Sequence, residues 1–193
     1  MARKYEFKPD SENKNLLQRL QLTRQQRRGL LKWLLYTLLL IFISVVQDVF
    51  LSQLRNGLGA TTDLVPCLII LICVIEGTQT GSVFALCASL FYLFSVSNLG
   101  PYVVFIITFL AVFVTSFRQG YLRRGFPAAL LCVSTAMLVY EMLMFGINLF
   151  LKYTIASRVV GFLITAGLSI VAIPLLYFPV KAINGIGDDA WKE

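Results

Sequence analysis

The amino-acid sequence predicts an all-α, polytopic membrane protein: a bundle of six transmembrane helices with short loops and with both termini in the cytoplasm. Its 193 residues are 58% hydrophobic and 14% charged, whereas soluble domains contain about 45–50% apolar and about 25% charged residues. The charges concentrate near the termini, and only ten of the 27 fall within residues 33–180. A soluble fold would have to expose this apolar chain to water, so soluble enzymes, disordered proteins and secreted disulfide scaffolds are excluded.

Charge distribution divides the chain into a basic cytoplasmic leader (residues 1–32), a six-helix transmembrane domain (33–180) and a cytoplasmic tail (181–193). The leader holds nine basic and three acidic residues and a partial leucine stripe. This pattern predicts an amphipathic helix lying on anionic lipids. The alternative is a flexible basic segment that only fixes the topology. No nucleic-acid-binding fold accompanies the charge, so nucleic acid is not an expected partner.

Six apolar runs mark the predicted spans, at residues 30–51, 64 to 77 or 78, 81–98, 101–117, 126–151 and 159–180. The second run is the shortest, because only 12 uncharged residues separate Asp63 from Glu76. Twelve residues give about 18 Å of helix, against a hydrocarbon core of about 30 Å. We expect Thr61, Thr62 or Asp63 to cap this helix. The alternative is that the second and third runs form a re-entrant pair of short helices.

The basic residues orient the six spans. With the N-terminus inside, the cytoplasmic segments carry 14 Lys and Arg residues and the outer segments carry three. This asymmetry predicts cytoplasmic termini. We expect Trp33 and Tyr36 in an aromatic belt at the inner surface, and Tyr102 and Tyr153 in one at the outer surface.

The reactive residue types argue against an enzyme. The chain has no histidine, which excludes a Ser-His-Asp triad, a Cys-His pair and His-based zinc sites. Its four cysteines all lie in apolar runs without a Cys-x-x-Cys pair, and we expect them to be small buried hydrophobes; they are Cys67, Cys73, Cys87 and Cys132. The sequence therefore predicts neither catalysis nor a cofactor or metal.

Glu141 is the one acidic residue well inside a predicted span. At the bilayer centre a carboxylate costs on the order of 3 kcal/mol or more, and no basic residue lies at a matching depth in the sequence. We expect Glu141 to be protonated, or turned into the bundle against hydroxyls such as those of Thr108, Thr135 or Ser169. Its role is either to join helices or to form a proton or ligand site.

Small residues recur every four positions along two predicted spans. They are Gly77, Gly81, Ala85 and Ser89 in one ridge, and Gly161, Thr165 and Ser169 in another. Such ridges let a second helix approach closely in lipid. Packing within the bundle is the first interpretation, and an interface with a partner or in a homodimer is the alternative.

Several of these features occur in an order that resembles the rod shape-determining protein family MreD, bacterial membrane proteins of cell elongation. The resemblance covers about residues 35–155. It rests on Gln47, Asp63-Leu64, Glu76-Gly77 with Gly81, Leu99-Gly100, Arg118, Arg123, Arg124 and Tyr140-Glu141. One departure is Tyr92, which stands where the family usually has an Asp.

The resemblance implies a non-enzymatic scaffold in the bacterial cytoplasmic membrane. It would bind MreC and associate with the actin-like MreB, the glycosyltransferase RodA and a penicillin-binding transpeptidase. The competing hypothesis is the substrate-binding S component of an energy-coupling-factor transporter, a vitamin binder of similar architecture. S components usually dock through an Ala-x-x-x-Ala pattern in their first span, whereas residues 30–51 contain no alanine.

Overall fold

The computed structural model describes residues 24–51, 62–95, 100–121 and 125–186, and every regular element within these ranges is helical. The helices are α1 (Arg24–Val46, continued by a π-helical turn, Gln47–Leu51), α2 (Leu64–Glu76), α3 (Thr78–Ser95), α4 (Tyr102–Tyr121), α5 (Phe126–Phe150) and α6 (Val159–Gly185, preceded by a 3₁₀ turn, Ala156–Arg158).

Four helical segments are long and apolar enough to cross a membrane: Arg27–Val49, Tyr102–Tyr121, Phe126–Phe150 and Ala156–Gly185. The all-helical fold and its membrane-spanning character are therefore confirmed for the described residues. The helix α2 is apolar but has only 13 residues, and α3 is not among the four segments. The count of six complete crossings stays a prediction.

Both terminal helices extend beyond the predicted boundaries of the transmembrane domain. The first begins at Arg24, inside the basic leader, and the last continues past Val180 to Gly185. Apolar runs indicate only the part of a helix that suits hydrocarbon, whereas Arg, Gln and Lys also favour helix and prolong it. Most of the predicted amphipathic leader helix, residues 1–23, lies outside the described residues.

The helix α2 occupies the centre of the bundle. It contacts all five other helices, and every residue from Leu64 to Val74 is buried. A helix that is apolar on all sides belongs inside a protein or a membrane rather than on a surface. At about 1.5 Å per residue it is only about 20 Å long. Its two ends therefore lie well inside the bundle and need polar partners there.

A single residue, Gly77, links α2 to α3. Its φ of 98° lies in the left-handed region that favours glycine, and a Cβ atom there would lie 2.7 Å from Gln119 Nε2. One turn later, a Cβ atom on Gly81 would lie 2.8 Å from the Cα atom of Cys73. These two glycines let α2 and α3 form a closely packed antiparallel hairpin.

Both small-residue ridges face into the bundle. In the first, Gly81, Ala85 and Ser89 are buried, and Ser89 Oγ is hydrogen-bonded to Thr108 Oγ1 of α4 at 3.1 Å. In the second, Thr165 and Ser169 are buried and Gly161 is half-buried. The described structure therefore uses both ridges for packing within the chain.

Large apolar side chains cover the outside of the bundle. One stripe on α4 repeats every four residues and consists of Phe105, Phe109, Phe113, Phe117 and Tyr121, all of them exposed. Water would disfavour such a surface, whereas lipid chains accommodate it. The exposed faces thus agree with the membrane-spanning character of the long helices.

The first ridge predicts a difference between two similar substitutions on α3. Ala85 is fully buried and Val83 is 65% exposed. Ala85→Leu should overpack the α3 contact and lower the free energy of unfolding by about 1–3 kcal/mol, whereas Val83→Leu should be tolerated. Thermal unfolding in detergent measures both. Equal stability of the two variants would contradict the buried position of the ridge.

Candidate functional site

Four polar side chains meet at the C-terminal end of α2, and we call them the Glu76 cluster: Lys32, Tyr36, Glu76 and Asn184. Lys32 Nζ lies 2.8 Å from Glu76 Oε2 and donates to Asn184 Oδ1 at 2.9 Å. Tyr36 donates its hydroxyl hydrogen to Glu76 Oε1 at 2.5 Å. This ion pair joins α1, α2 and α6, and it places the start of α1 and the end of α6 at the same end of the bundle.

The end of α2 is also held by α4. Arg118 donates to the carbonyl oxygen of Val74, which belongs to the last turn of α2, where helical carbonyls lack partners within the helix. Thr78 donates to Gln119 Oε1 at 3.0 Å. A cation at a helix C-terminus also interacts favourably with the helix dipole. Arg123 and Arg124, the other members of the predicted arginine cluster, lie outside the described residues.

Polar groups from two other helices cap the N-terminal end of α2. The Val65 amide donates to Gln47 Oε1 at 3.0 Å, and the Asp63 amide donates to Ser169 Oγ at 2.9 Å. We expected a local cap from Thr61, Thr62 or Asp63. Asp63 does occupy the N-cap position, but its side chain makes no capping hydrogen bond, and Thr61 lies outside the described residues. Tertiary contacts from α6 and from the π-helical turn cap α2 instead.

The Asp63 side chain is hydrogen-bonded to the side chain of Glu141. Glu141 is buried, with 3% of its surface exposed. Ionised carboxylates only accept hydrogen bonds, so this contact requires one proton between the two groups. Negative charge is favoured at the start of a helix, which leaves the charge on Asp63 and the proton on Glu141. The pair joins α5 to the first turn of α2.

Hydroxyls are not the partners of Glu141, contrary to expectation. Thr108 is bonded to Ser89, Thr135 donates to the Leu131 carbonyl, and Ser169 donates to the Thr165 carbonyl. Threonine and serine on a helix can bond their own preceding turn, and this satisfies two of the three side chains locally. Asp63 occupies the position next to Glu141.

Two tyrosines complete the group that we call the Asp63 cluster: Gln47, Asp63, Tyr92, Tyr140, Glu141 and Ser169. The Tyr92 hydroxyl is hydrogen-bonded to Gln47, and it interacts electrostatically with Asp63 and Glu141. The Tyr140 hydroxyl also interacts with both carboxyl groups but has no hydrogen-bond partner. Glu141 Oε1 and Thr62 Oγ1 likewise are buried without a hydrogen-bond partner among the described groups.

Sequence reasoning missed several of these roles. Tyr36 was expected in an aromatic belt, but it is fully buried, because its hydroxyl has Glu76 as a partner. Lys32 was assigned to the leader, and Asn184 to the tail. One available signal was the presence of one acid and one base near the same predicted membrane boundary. Among the cysteines, Cys67, Cys73 and Cys132 are buried as expected, whereas Cys87 is exposed.

The described residues contain no group of three or more His, Cys, Asp or Glu side chains that could hold a metal ion. The two clusters instead offer amide, phenol and carboxyl groups that connect helices. Comparisons with protein-family models, curated proteins and solved structures found no match for this chain.

The Glu76 cluster predicts a measurable ion-pair coupling. Its paired side chains, Lys32 and Glu76, are only 13% and 7% exposed. Lys32→Met leaves the Glu76 carboxylate without its cation and should lower the free energy of unfolding by about 3 kcal/mol. The control is Arg28→Met, one turn earlier and exposed. Adding Glu76→Gln to Lys32→Met should recover part of the loss. Equal denaturation curves for Lys32→Met and Arg28→Met would refute the coupling.

The carboxyl pair predicts different effects for two substitutions of Glu141. Glu141→Gln keeps a donor for Asp63 and should leave thermal stability nearly unchanged. Glu141→Leu deletes that donor and should cost about 1–3 kcal/mol. Met142→Leu, at an exposed neighbouring position, is the control for the introduced side chain. If Gln destabilises as much as Leu in detergent, a neutral hydrogen-bonding role for Glu141 is wrong.

Proposed function

We propose that this chain is an integral-membrane scaffold of the bacterial cell-elongation complex, located in the cytoplasmic membrane and binding an MreC-like protein. One observation supports this most. Residues that carry the resemblance to the MreD family, although far apart in the sequence, converge on the ends of one central helix. Gln47, Asp63 and Glu141 meet at its start. Glu76 and Arg118 lie at its end.

The chemistry of these clusters suits a scaffold. Each described hydrogen bond in them links one helix to another or caps a helix end, and so contributes to a defined arrangement of helices. A rigid bundle presents its outer faces in fixed positions, which is what a protein that organises membrane partners requires. With such short connections between helices, contacts with MreC, MreB, RodA and a penicillin-binding transpeptidase would be made within the membrane or through the basic leader.

The proposed topology has six crossings with both termini in the cytoplasm. Two observations support it. The start of α1 and the end of α6 lie together through the Lys32–Asn184 hydrogen bond. With those ends inside, 14 of the 17 basic residues are cytoplasmic. The basic leader would then face anionic lipids of the inner leaflet.

A reporter fused after Glu193 tests this topology. A reporter that is active only in the cytoplasm should be active there, and one that is active only outside should be silent. A second fusion within residues 152–158 should give the opposite pattern. Activity of the outside reporter after Glu193 would refute the proposed orientation.

Capture of MreC tests the proposed function. The tagged chain should be co-expressed with the MreC of the same genome and purified in mild detergent. We expect MreC to be retained by the parent chain and by Glu141→Gln, which keeps the fold. An unrelated tagged polytopic protein at equal expression is the control. Absence of MreC, together with a stable monodisperse chain, would contradict the proposal. Co-purification of a vitamin instead would favour the S-component hypothesis.

A further inference from the structure

We propose that the Asp63–Glu141 pair and the hydroxyls of Tyr140 and Thr62 form a binding site for a small monovalent cation of the Na⁺ class. This inference is independent of the scaffold proposal, because it rests only on the geometry of the Asp63 cluster.

The first support is an unbalanced negative charge. Asp63 and Glu141 share one proton, so the pair keeps one negative charge. The interactions of the two carboxyl groups are with each other, and no Lys or Arg side chain of the described residues acts on them. A buried charge without a counter-charge is costly. The start of α2 offsets part of this cost through the helix dipole, and a bound cation would offset more.

The second support is a set of buried oxygen atoms with no partner: Tyr140 Oη, Glu141 Oε1 and Thr62 Oγ1. Tyr140 is 1% exposed, and its hydroxyl interacts with both carboxyl groups. Most buried polar atoms in native proteins have a hydrogen-bond partner. Oxygen atoms of carboxyl and hydroxyl groups are the ligands that hard cations prefer. These atoms therefore offer free lone pairs beside a negative charge.

The composition of the cluster favours a monovalent ion. Calcium sites draw on six to eight oxygen ligands, often several carboxylates, and magnesium usually retains several waters. The Asp63 cluster supplies two carboxyl groups, and no third His, Cys, Asp or Glu side chain joins them among the described residues. The remaining titratable groups that act on Tyr92 or Tyr140 are Asp48 and Tyr102. The other occupant that such oxygen atoms accept is water.

Tyr140 provides the sharpest variant. Because its hydroxyl has no hydrogen-bond partner, Tyr140→Phe should fold as well as the parent. A purely structural role for the side chain thus predicts no change in any property. A ligand role predicts a specific loss of cation binding with the fold intact. Tyr177→Phe is the matched control, because Tyr177 packs on Phe126 at the opposite end of the bundle.

The experiment measures binding of radioactive Na⁺ to the full chain in nanodiscs of uncharged lipid, with choline as the replacement cation. We expect saturable binding to the parent and to Tyr177→Phe, competed by unlabelled Na⁺. We expect at least a tenfold loss in Tyr140→Phe and Glu141→Gln. About 0.15 M NaCl should also raise the Tm of the parent by about 2–4 °C over choline chloride, and should not raise that of Glu141→Gln.

Absence of saturable Na⁺ binding to the folded parent would overturn the proposal and would indicate a site filled by water alone. Binding that persists unchanged in Tyr140→Phe and Glu141→Gln would also overturn it, because the bound ion would then lie elsewhere. MreC capture does not enter either readout, so failure of this inference leaves the scaffold proposal intact.

Discussion

The described structure depends on one constraint: a helix of 13 residues is buried on all sides, and its ends must find polar partners inside the protein. The first amides and last carbonyls of any helix lack partners within it. On a surface, water supplies them. Within a bundle of membrane-spanning helices other residues must do so, because an unpaired buried peptide group costs free energy comparable to a lost hydrogen bond. Gln47, Ser169 and Arg118 provide these bonds from three other elements.

The two ends of α2 solve this problem with different chemistry. At the C-terminal end, Lys32 neutralises Glu76, and Tyr36 and Asn184 complete the hydrogen bonding. At the N-terminal end, two acids meet and share a proton. The first arrangement compensates its charge, whereas the second retains one negative charge and several unpartnered oxygen atoms. This difference makes the Glu76 cluster a structural junction and the Asp63 cluster the better place for a ligand.

Small residues make this central position possible. Helices normally pack about 8–10 Å apart, and Gly81 removes the Cβ atom that would contact the backbone of Cys73. Gly77 permits the reversal between α2 and α3 within one residue. The polar members of the ridges add hydrogen bonds to this packing, as Ser169 does at the start of α2. One set of side chains thus serves both close packing and helix capping.

The sequence by itself determined the helices, because apolar runs bounded by charges and turns indicate where a chain can span hydrocarbon. Four long helices and the positions of α2 and α3 follow from that pattern, and so does the burial of the ridge residues, which small side chains favour at close helix contacts. Tertiary structure alone decided which polar residues meet. Nothing in the sequence pairs Glu141 with Asp63, or Lys32 with Glu76 and Asn184, because those contacts depend on how the helices are arranged around α2. Hydrophobic periodicity is a local property, whereas the partner of a buried polar group is set by the packing of several distant segments.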